Sequence, residues 1–210
     1  MKQHNGFFAV ITGVNGVGKS TQICDVRIKL MQAQSAHSVE VTKYPHYIVP
    51  PFGPILDMYL RGGNPHKLSP KAFQLLQVCE REVYQPTLSS LLNKGSIVLA
   101  EDYTSTSYAW GVATGVPLEL LVVANNNLLQ PDITIVLDGQ PWAGSKESGH
   151  AHEEQYALLK KVRQNFLDFS RRFGWSVINA SRLKEEVTEE ILNIIRKYLQ
   201  RRQFAYKKST

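Results

Sequence analysis

Cysteine and long apolar runs are scarce in this sequence. The two cysteines, Cys24 and Cys79, form no C-x-x-C pair and are too few for a disulfide framework, which fits a reducing compartment. No apolar run approaches the roughly 20 residues that span a bilayer, and Met1–Asn5 lead into a strand-like segment without a signal-like region. These absences predict a soluble, cytoplasmic protein that does not interact with a membrane.

The chain is basic, with a formal net charge of +6. Much of the excess lies in residues 201–210, which hold four basic residues and no acidic one. A basic end of this kind is typically a solvated, mobile tail, so we do not expect nucleic acid as a partner. With 210 residues, of which 43% are hydrophobic, residues 1–210 are expected to form a single domain around one core.

Apolar strand-like segments alternate with helix-compatible segments along the chain. Strands are predicted at Phe7–Ile11, Ser38–Thr42, Ser96–Ala100, Ile133–Asp138 and Trp175–Asn179. Helices are predicted at Thr21–Gln34, Pro54–Arg61, Pro70–Asn93, Leu118–Leu129, Glu153–Phe173 and Lys184–Arg202, with Pro86 bending or interrupting the third. The alternation predicts an α/β fold, a parallel five-stranded sheet with helices on both faces. The aperiodic segment Gly139–His152 is expected to be a lid loop.

The most specific motif lies between the first strand and the first helix. Residues Gly13–Ser20 read G-x-x-x-x-G-K-S, the pattern of a phosphate-binding loop. Its glycines let backbone N–H groups surround a polyphosphate, Lys19 supplies positive charge, and the Ser20 hydroxyl can bind Mg²⁺. The residues predicted to bind the nucleotide here are Gly13, Asn15, Gly16, Val17, Gly18, Lys19, Ser20 and Thr21.

An acidic pair follows the third predicted strand. Glu101 and Asp102 stand at the carboxyl end of Ser96–Ala100, the edge of a parallel sheet where ligands bind. Glu101 is therefore predicted to be catalytic and, together with Ser20, to hold Mg²⁺ directly or through water. No Asn-Lys-x-Asp motif for guanine is present, and 210 residues leave no room for motor or transporter machinery. A kinase is the expected class.

Further segments, in their order and spacing, make the chain resemble the thymidylate kinase family, which phosphorylates dTMP to dTDP with ATP. The matching segments are the acceptor turn Lys43–Tyr47, the helix Phe52–Leu60, the stretch Gly95–Gly111, the strand Pro131–Asp138 and the adenine loop Ile178–Ser181. The resemblance implies a three-layer P-loop kinase fold, ATP as the donor, adenine contacts from Asn179 and Ala180, and a homodimer.

The acceptor site combines this resemblance with the chemistry of its residues. Lys43 and His46 are predicted to serve the acceptor phosphate, and Arg81 to donate to a pyrimidine O4. Ser107 is expected to face the base and Trp110 the sugar, where its ring excludes a 2′-hydroxyl. The full predicted set is Asn15, Lys43, Tyr44, His46, Tyr47, Gln77, Arg81, Asp102, Tyr103, Ser107 and Trp110. Two alternatives stay open. Arg81 can be a helix-surface or intrahelical ion-pair residue beside Glu80 and Glu82, and Trp110 can fill the core.

Several positions depart from the family pattern. Asp102 stands where the family usually has an arginine, and Asn15 replaces a common loop carboxylate. Gln77 stands where an aromatic ring commonly stacks on thymine, so stacking worth about 1–3 kcal/mol must come from Phe73, Tyr47 or Tyr108. The alternatives are therefore a kinase for another pyrimidine nucleotide or a deoxynucleoside, or a non-catalytic nucleotide-binding protein.

The catalytic arginine of the family is also missing, because neither Gly13–Ser20 nor Gly139–His152 contains one. Lys146 is the permanently charged cation inside the predicted lid and is therefore predicted to be catalytic. His150 and His152 can assist when protonated, and Lys160, Lys161 and Arg163 follow on the next helix. The run Gly149–Glu153 is not expected to bind zinc, because it lacks a fourth ligand.

We predict that Lys146→Ala lowers kcat much more than it raises the KM of ATP or dTMP, because the charge is used in the transition state. Steady-state kinetics measure this split. If His150 and His152 assist, the rate falls as the pH rises through about 6–7. Full kcat in Lys146→Ala, with loss in Lys160→Ala, Lys161→Ala or Arg163→Ala, would transfer the role to the helix.

Overall fold

In the computed structural model, which describes residues 4–33, 38–140 and 156–208, a central parallel sheet is flanked by helices. The strands are β1 (Phe7–Gly13), β2 (Val39–Lys43), β3 (Ile97–Glu101), β4 (Ile133–Asp138) and β5 (Ser176–Asn179). The helices are α1 (Lys19–Ala33), α2 (Phe52–Leu60), α3 (Pro70–Asn93), α4 (Thr104–Ala113), α5 (Leu118–Ala124), α6 (Tyr156–Phe173) and α7 (Lys184–Lys208).

The five strands lie in the order β2-β3-β1-β4-β5, and all their pairings are parallel. The central strand β1 is buried along its whole length. Its alternate residues Phe7, Ala9 and Ile11 pack on the side of α1 and α7, whereas Phe8 and Val10 pack on the side of α3. This confirms the predicted α/β fold, and it brings the carboxyl ends of all five strands to one edge.

One helix was not predicted, and another ends earlier than predicted. The segment Thr104–Ala113, which was not predicted to be helical, forms α4, although Thr, Ser and Gly have weak helix propensities. Packing overrides propensity here, because most of this helix is buried and Gly111 lies so close to Leu121 that a Cβ would fall 2.6 Å from its Cδ1. Helix α5 ends at Ala124 and not at Leu129, because the next residue, Asn125, donates its side-chain amide to the Leu121 carbonyl.

Helix α3 is continuous through Pro86, so of the two predicted outcomes, bending or interruption, interruption does not occur. Ser69 caps its first turn by accepting from the Ala72 N–H at 3.2 Å. Proline leaves the carbonyl of Glu82 without its helical donor, but Glu82 is exposed and water can satisfy that carbonyl. Buried Leu88 and Leu92 beyond the proline anchor the second half against the sheet.

Helix α7 continues to Lys208 and so extends past its predicted end at Arg202 into the predicted tail. Of the predicted lid, only Gly139 and Gln140 lie within the described residues. No helix in the described ranges is long and apolar enough to cross a bilayer.

Candidate functional site

A phosphate-binding loop joins β1 to α1, as the motif predicts. Gly13, Gly16 and Gly18 have φ angles of 150°, 75° and 97°, which side chains with a Cβ rarely adopt. At Gly13 a Cβ would also lie 2.5 Å from the Leu137 carbonyl oxygen of the neighbouring strand. The glycines are therefore required by the backbone path of the loop.

Lys19 begins α1 and folds back over this loop. Its Nζ donates to the carbonyl oxygens of Gly13 at 3.1 Å and Val14 at 3.2 Å, and the side chain is buried. The ammonium charge consequently lies at the mouth of the loop, where it can meet a bound phosphate.

Ser20 and Glu101 approach each other from α1 and the end of β3. The Ser20 hydroxyl donates to Glu101 Oε2 at 2.7 Å, and Lys43 Nζ lies 2.9 Å from Glu101 Oε1. The hydroxyl and the carboxylate present hard oxygen atoms of the type that Mg²⁺ prefers. Lys43 was predicted to serve an acceptor phosphate, but its ammonium is paired with Glu101.

Asp102 follows Glu101 with a left-handed backbone, φ 63°, which aspartate tolerates better than most residues. Its Oδ1 accepts from the hydroxyls of Thr12 at 3.0 Å and Thr106 at 2.8 Å. Its Oδ2 lies 3.7 Å from Lys19 Nζ. Burial raises the pKa of this carboxyl, and the nearby ammonium opposes the shift.

A cleft opens beside the loop. It is lined by Asn15, Tyr44, Pro45, Tyr47, Leu60, Phe73, Gln77, Arg81, Asp102, Thr106 and Trp110. Seven of these lining residues were predicted as acceptor residues. The structure thus brings the loop, the end of β3 and the middle of α3 to one cavity.

Arg81 is 2% exposed, so the helix-surface part of the alternative is wrong. Its Nη1 donates to Ser107 Oγ at 2.8 Å and to Asn125 Oδ1 at 3.2 Å. Its Nη2 donates to Gln77 Oε1 at 2.9 Å and to the Tyr103 carbonyl at 3.0 Å. Burial lowers the pKa of the guanidinium, and its Nε has no partner in the described chain. A buried donor is therefore available in a residue that lines the cleft.

Two predicted acceptor residues lie one layer behind the cleft. Ser107 is completely buried and orients Arg81, so it does not face a base directly as predicted. Tyr103 is 1% exposed, and its ring packs against Phe8 and Tyr44 in the core. Both residues shape the cleft through the side chains in front of them.

His46 was predicted to serve an acceptor phosphate, but it belongs to a partly buried polar cluster. Glu80 Oε1 accepts from the His46 backbone N–H at 3.0 Å and lies 2.5 Å from its Nδ1. The other ring nitrogen lies 2.8 Å from Thr42 Oγ1, and the ring stacks on Tyr84 at 3.9 Å. Both nitrogens are engaged inside the fold, and Glu80 thereby holds the turn that carries Pro45 to the cleft.

Aromatic rings form one wall of the cleft in place of the ring missing at Gln77. Phe73 stacks on Tyr59 with centroids 3.9 Å apart, and the Arg61 guanidinium lies 4.5 Å above the Tyr47 ring. Trp110 lines the cleft and also packs on the main core, so both interpretations of this residue have structural support.

Tyr108, the third ring considered for stacking on a base, packs elsewhere. Its neighbours are Phe173 and Trp175, with ring centroids 5.6 Å and 6.4 Å away. Among the rings considered, Phe73 and Tyr47 are the ones that line the cleft.

The predicted adenine loop follows β5 on the far side of the sheet. The Ala180 N–H donates to the Asp138 carbonyl at 2.8 Å, and Asn179 Oδ1 accepts from the Ser181 N–H at 2.9 Å. Arg163 of α6 makes a two-point ion pair with the Asp138 carboxylate, with N–O distances of 2.5 Å and 3.0 Å. This pair holds a permanent cation at the carboxyl edge of the sheet.

Some expectations concern residues that the structure does not describe, and some important residues were not predicted. Lys146, His150 and His152 lie outside the described residues. The residues Thr12, Thr106, Glu80 and Asn125, which hold the site residues in place, were not predicted, because no local pattern marks a polar residue that acts by contacting another side chain.

Across the described ranges, no three His, Cys, Asp or Glu side chains converge as a metal site, so a Mg²⁺ ion would need phosphate or water ligands.

Comparisons with known proteins agree with this geometry. The family model described as thymidylate kinase matches residues 11–191. A probable thymidylate kinase from Pyrobaculum aerophilum is 32% identical over 199 residues, which cover 90% of this chain and 96% of that protein. A thymidylate kinase from Dictyostelium discoideum is 26% identical, covering 90% and 84% respectively. The solved structure of thymidylate kinase from Candida albicans shares the fold, with a TM-score of 0.75, 21% identity and 93% of each chain covered.

We predict that Glu80→Ala lowers the free energy of unfolding by about 1–3 kcal/mol, because two His46 donors lose their buried acceptor. Urea unfolding measures the change. Glu82→Ala is the matched control, since Glu82 is exposed on the same helix, and it should stay within about 0.5 kcal/mol of the unmodified protein. Equal effects of the two substitutions would contradict the assigned role of Glu80.

Proposed function

The chain belongs to the thymidylate kinase family and phosphorylates dTMP with ATP, and we propose that the loop Gly13–Ser20 holds the phosphates of ATP while the cleft beside Arg81 holds dTMP. The observation that carries this division is the single cavity that has Asn15 of the loop at one side and Arg81 of α3 at the other. Donor and acceptor must meet in line for phosphoryl transfer, so adjacent sites are required.

The donor side uses backbone groups and a few side chains. Gly13, Asn15, Gly16, Val17 and Gly18 are proposed to surround the phosphates, with Lys19 as the catalytic cation and Thr21 at the next turn. Asn179 and Ala180 are proposed to contact adenine. The hydrogen-bonded Ser20–Glu101 pair fits Mg²⁺, because it offers oxygen ligands and leaves other positions to phosphates and water. Mg²⁺ would neutralise charge on the transferring phosphoryl group.

The acceptor side reads the base with Arg81 and Gln77. Gln77 gives its oxygen to Arg81 Nη2, so its NH₂ group and the unpartnered Arg81 Nε supply donors for the O4 of thymine. A cytosine would present its own N4–H₂ donors to the same groups, which disfavours it. Phe73 and Tyr47 are proposed to flank the base, and Trp110 to pack against the sugar.

The charge that develops during transfer still requires a cation near the phosphates. Lys146 remains our proposal for this role. Arg163 is the alternative, because its pairing with Asp138 holds it at the carboxyl edge of the sheet. Lys43 is proposed to act there indirectly, by neutralising Glu101 until a metal ion takes its place. A homodimer and a cytoplasmic location remain predictions, whereas the comparisons do not favour a deoxynucleoside kinase or a non-catalytic protein.

We predict that Lys19→Ala keeps the fold and lowers phosphoryl transfer by about 10²–10³-fold or more, because the charge facing the donor phosphates is lost. A coupled ADP-release assay with ATP, Mg²⁺ and dTMP measures the rate. Lys29→Ala is the matched control, since Lys29 lies on the same helix as Lys19 and forms an exposed ion pair with Glu189 of α7. Unchanged turnover in Lys19→Ala would refute the proposed donor site.

We predict that Arg81→Lys raises the KM of dTMP about tenfold and weakens the preference for dTMP over dCMP, because lysine lacks the guanidinium fork. Steady-state kinetics with both nucleotides and a thermal unfolding curve separate binding from stability. Arg171→Lys, at a surface ion pair, is the control and should change neither quantity. A wild-type KM with the same base preference would restrict Arg81 to a structural role.

A further inference from the structure

We propose that Asp102 accepts a hydrogen bond from the 3′-hydroxyl of the acceptor nucleotide and so selects acceptors that carry this group. This inference rests on the proposed function, because it takes the cleft to be the dTMP site. It gives Asp102, which stands where the family usually has an arginine, a specific partner in the 3′-oxygen of the nucleotide.

The two oxygens of Asp102 have different surroundings. Oδ1 is fixed by the hydroxyls of Thr12 and Thr106. Oδ2 is 3.7 Å from Lys19 Nζ, beyond hydrogen-bond range, and no described residue donates to it. The side chain lines the cleft and keeps 13% of its surface exposed, so Oδ2 is an acceptor that the cleft offers to a ligand.

A carboxylate at this position constrains which part of a nucleotide can approach it. An acceptor phosphate would be repelled, because like charges interact strongly in a partly buried site. The oxygen therefore needs a hydrogen-bond donor. At neutral pH dTMP carries two such groups, the N3–H of the base and the 3′-O–H of the sugar.

The position of Asp102 in the cleft distinguishes the two donors. The proposed base-reading groups are Gln77 and Arg81 on α3. Asp102 lies instead beside Lys19, at the side where the phosphate-binding loop enters the cleft. The sugar lies between the base and the phosphate of a nucleotide, so its 3′-hydroxyl is the donor that can reach the carboxylate.

The backbone at this position supports a functional role. A left-handed conformation at a residue other than glycine costs about 1–3 kcal/mol and is concentrated at functional sites. Here it is combined with the burial of a charged group, which is a second cost. A hydrogen bond to the ligand would explain why this residue has both a left-handed backbone and a buried charge.

The test compares dTMP with 2′,3′-dideoxythymidine 5′-monophosphate, which lacks only the 3′-hydroxyl. We expect the unmodified enzyme to prefer dTMP in kcat/KM by about 10- to 100-fold, the loss typical of a hydrogen bond to a charged group. Asp102→Gly removes the carboxylate without straining the left-handed backbone, and its preference should fall to about threefold or less. The amide oxygen in Asp102→Asn is neutral and accepts more weakly, so the preference of this variant for dTMP should be several-fold smaller than that of the unmodified enzyme.

Thr12→Val is the matched control, because it removes one hydrogen bond to Oδ1 and leaves Oδ2 in place. Its preference between the two nucleotides should stay within about twofold of the unmodified enzyme, even if its stability falls. Thermal unfolding and the KM of ATP verify that each variant is folded and binds the donor. If Asp102→Gly does not fold, Asp102→Asn decides the question by the same ratio.

The outcomes separate this inference from the proposed function. If the Asp102 variants lose kcat/KM equally on both nucleotides, so that the preference for dTMP is unchanged, the inference is overturned and Asp102 acts through Lys19. The same holds if the unmodified enzyme does not discriminate between the two nucleotides. Failure of the unmodified enzyme to phosphorylate dTMP at all would instead overturn the proposed function.

Discussion

The buried guanidinium of Arg81 holds the acceptor side of the molecule together. From α3 it donates to Ser107 of α4, to Asn125 at the end of α5 and to the Tyr103 carbonyl after β3. Hydrogen bonds from a charged group contribute about 1.5–3 kcal/mol each, and a buried charge without partners is costly. The relative positions of these elements, and hence the shape of the cleft wall, depend on one side chain that also lines the cleft.

Charge in the site is arranged in opposed pairs around the phosphate-binding loop. Lys43 faces Glu101, and Lys19 lies near Asp102. The lysine of each pair can turn to a bound phosphate, because the carboxylates keep hydrogen bonds from Ser20, Thr12 and Thr106. This arrangement compensates the negative charge of the buried carboxylates in part.

The fold was predictable where local pattern and tertiary packing agree. Strand β4 has its predicted bounds, and the other four strands differ from theirs by one or two residues at an end, because the buried central strands are largely apolar runs. Helix α4 was not predictable, because its Thr, Ser and Gly content favours other structures and its stability comes from burial against α5 and α6. The end of α5 depended likewise on Asn125, which caps the helix and also accepts from Arg81.

The sequence by itself determined the phosphate-binding loop, the parallel sheet and the position of Glu101 and Asp102 beside the loop at the carboxyl edge of the sheet. These follow from glycine conformations, strand hydrophobicity and the common direction of the strands, all of which are encoded locally. Only the tertiary structure decided that Arg81 is buried, that His46 and Ser107 support the cleft from behind, and that Asp102 lines the cleft. Those roles arise from side chains far apart in sequence, whose contacts exist only after the sheet and helices have packed.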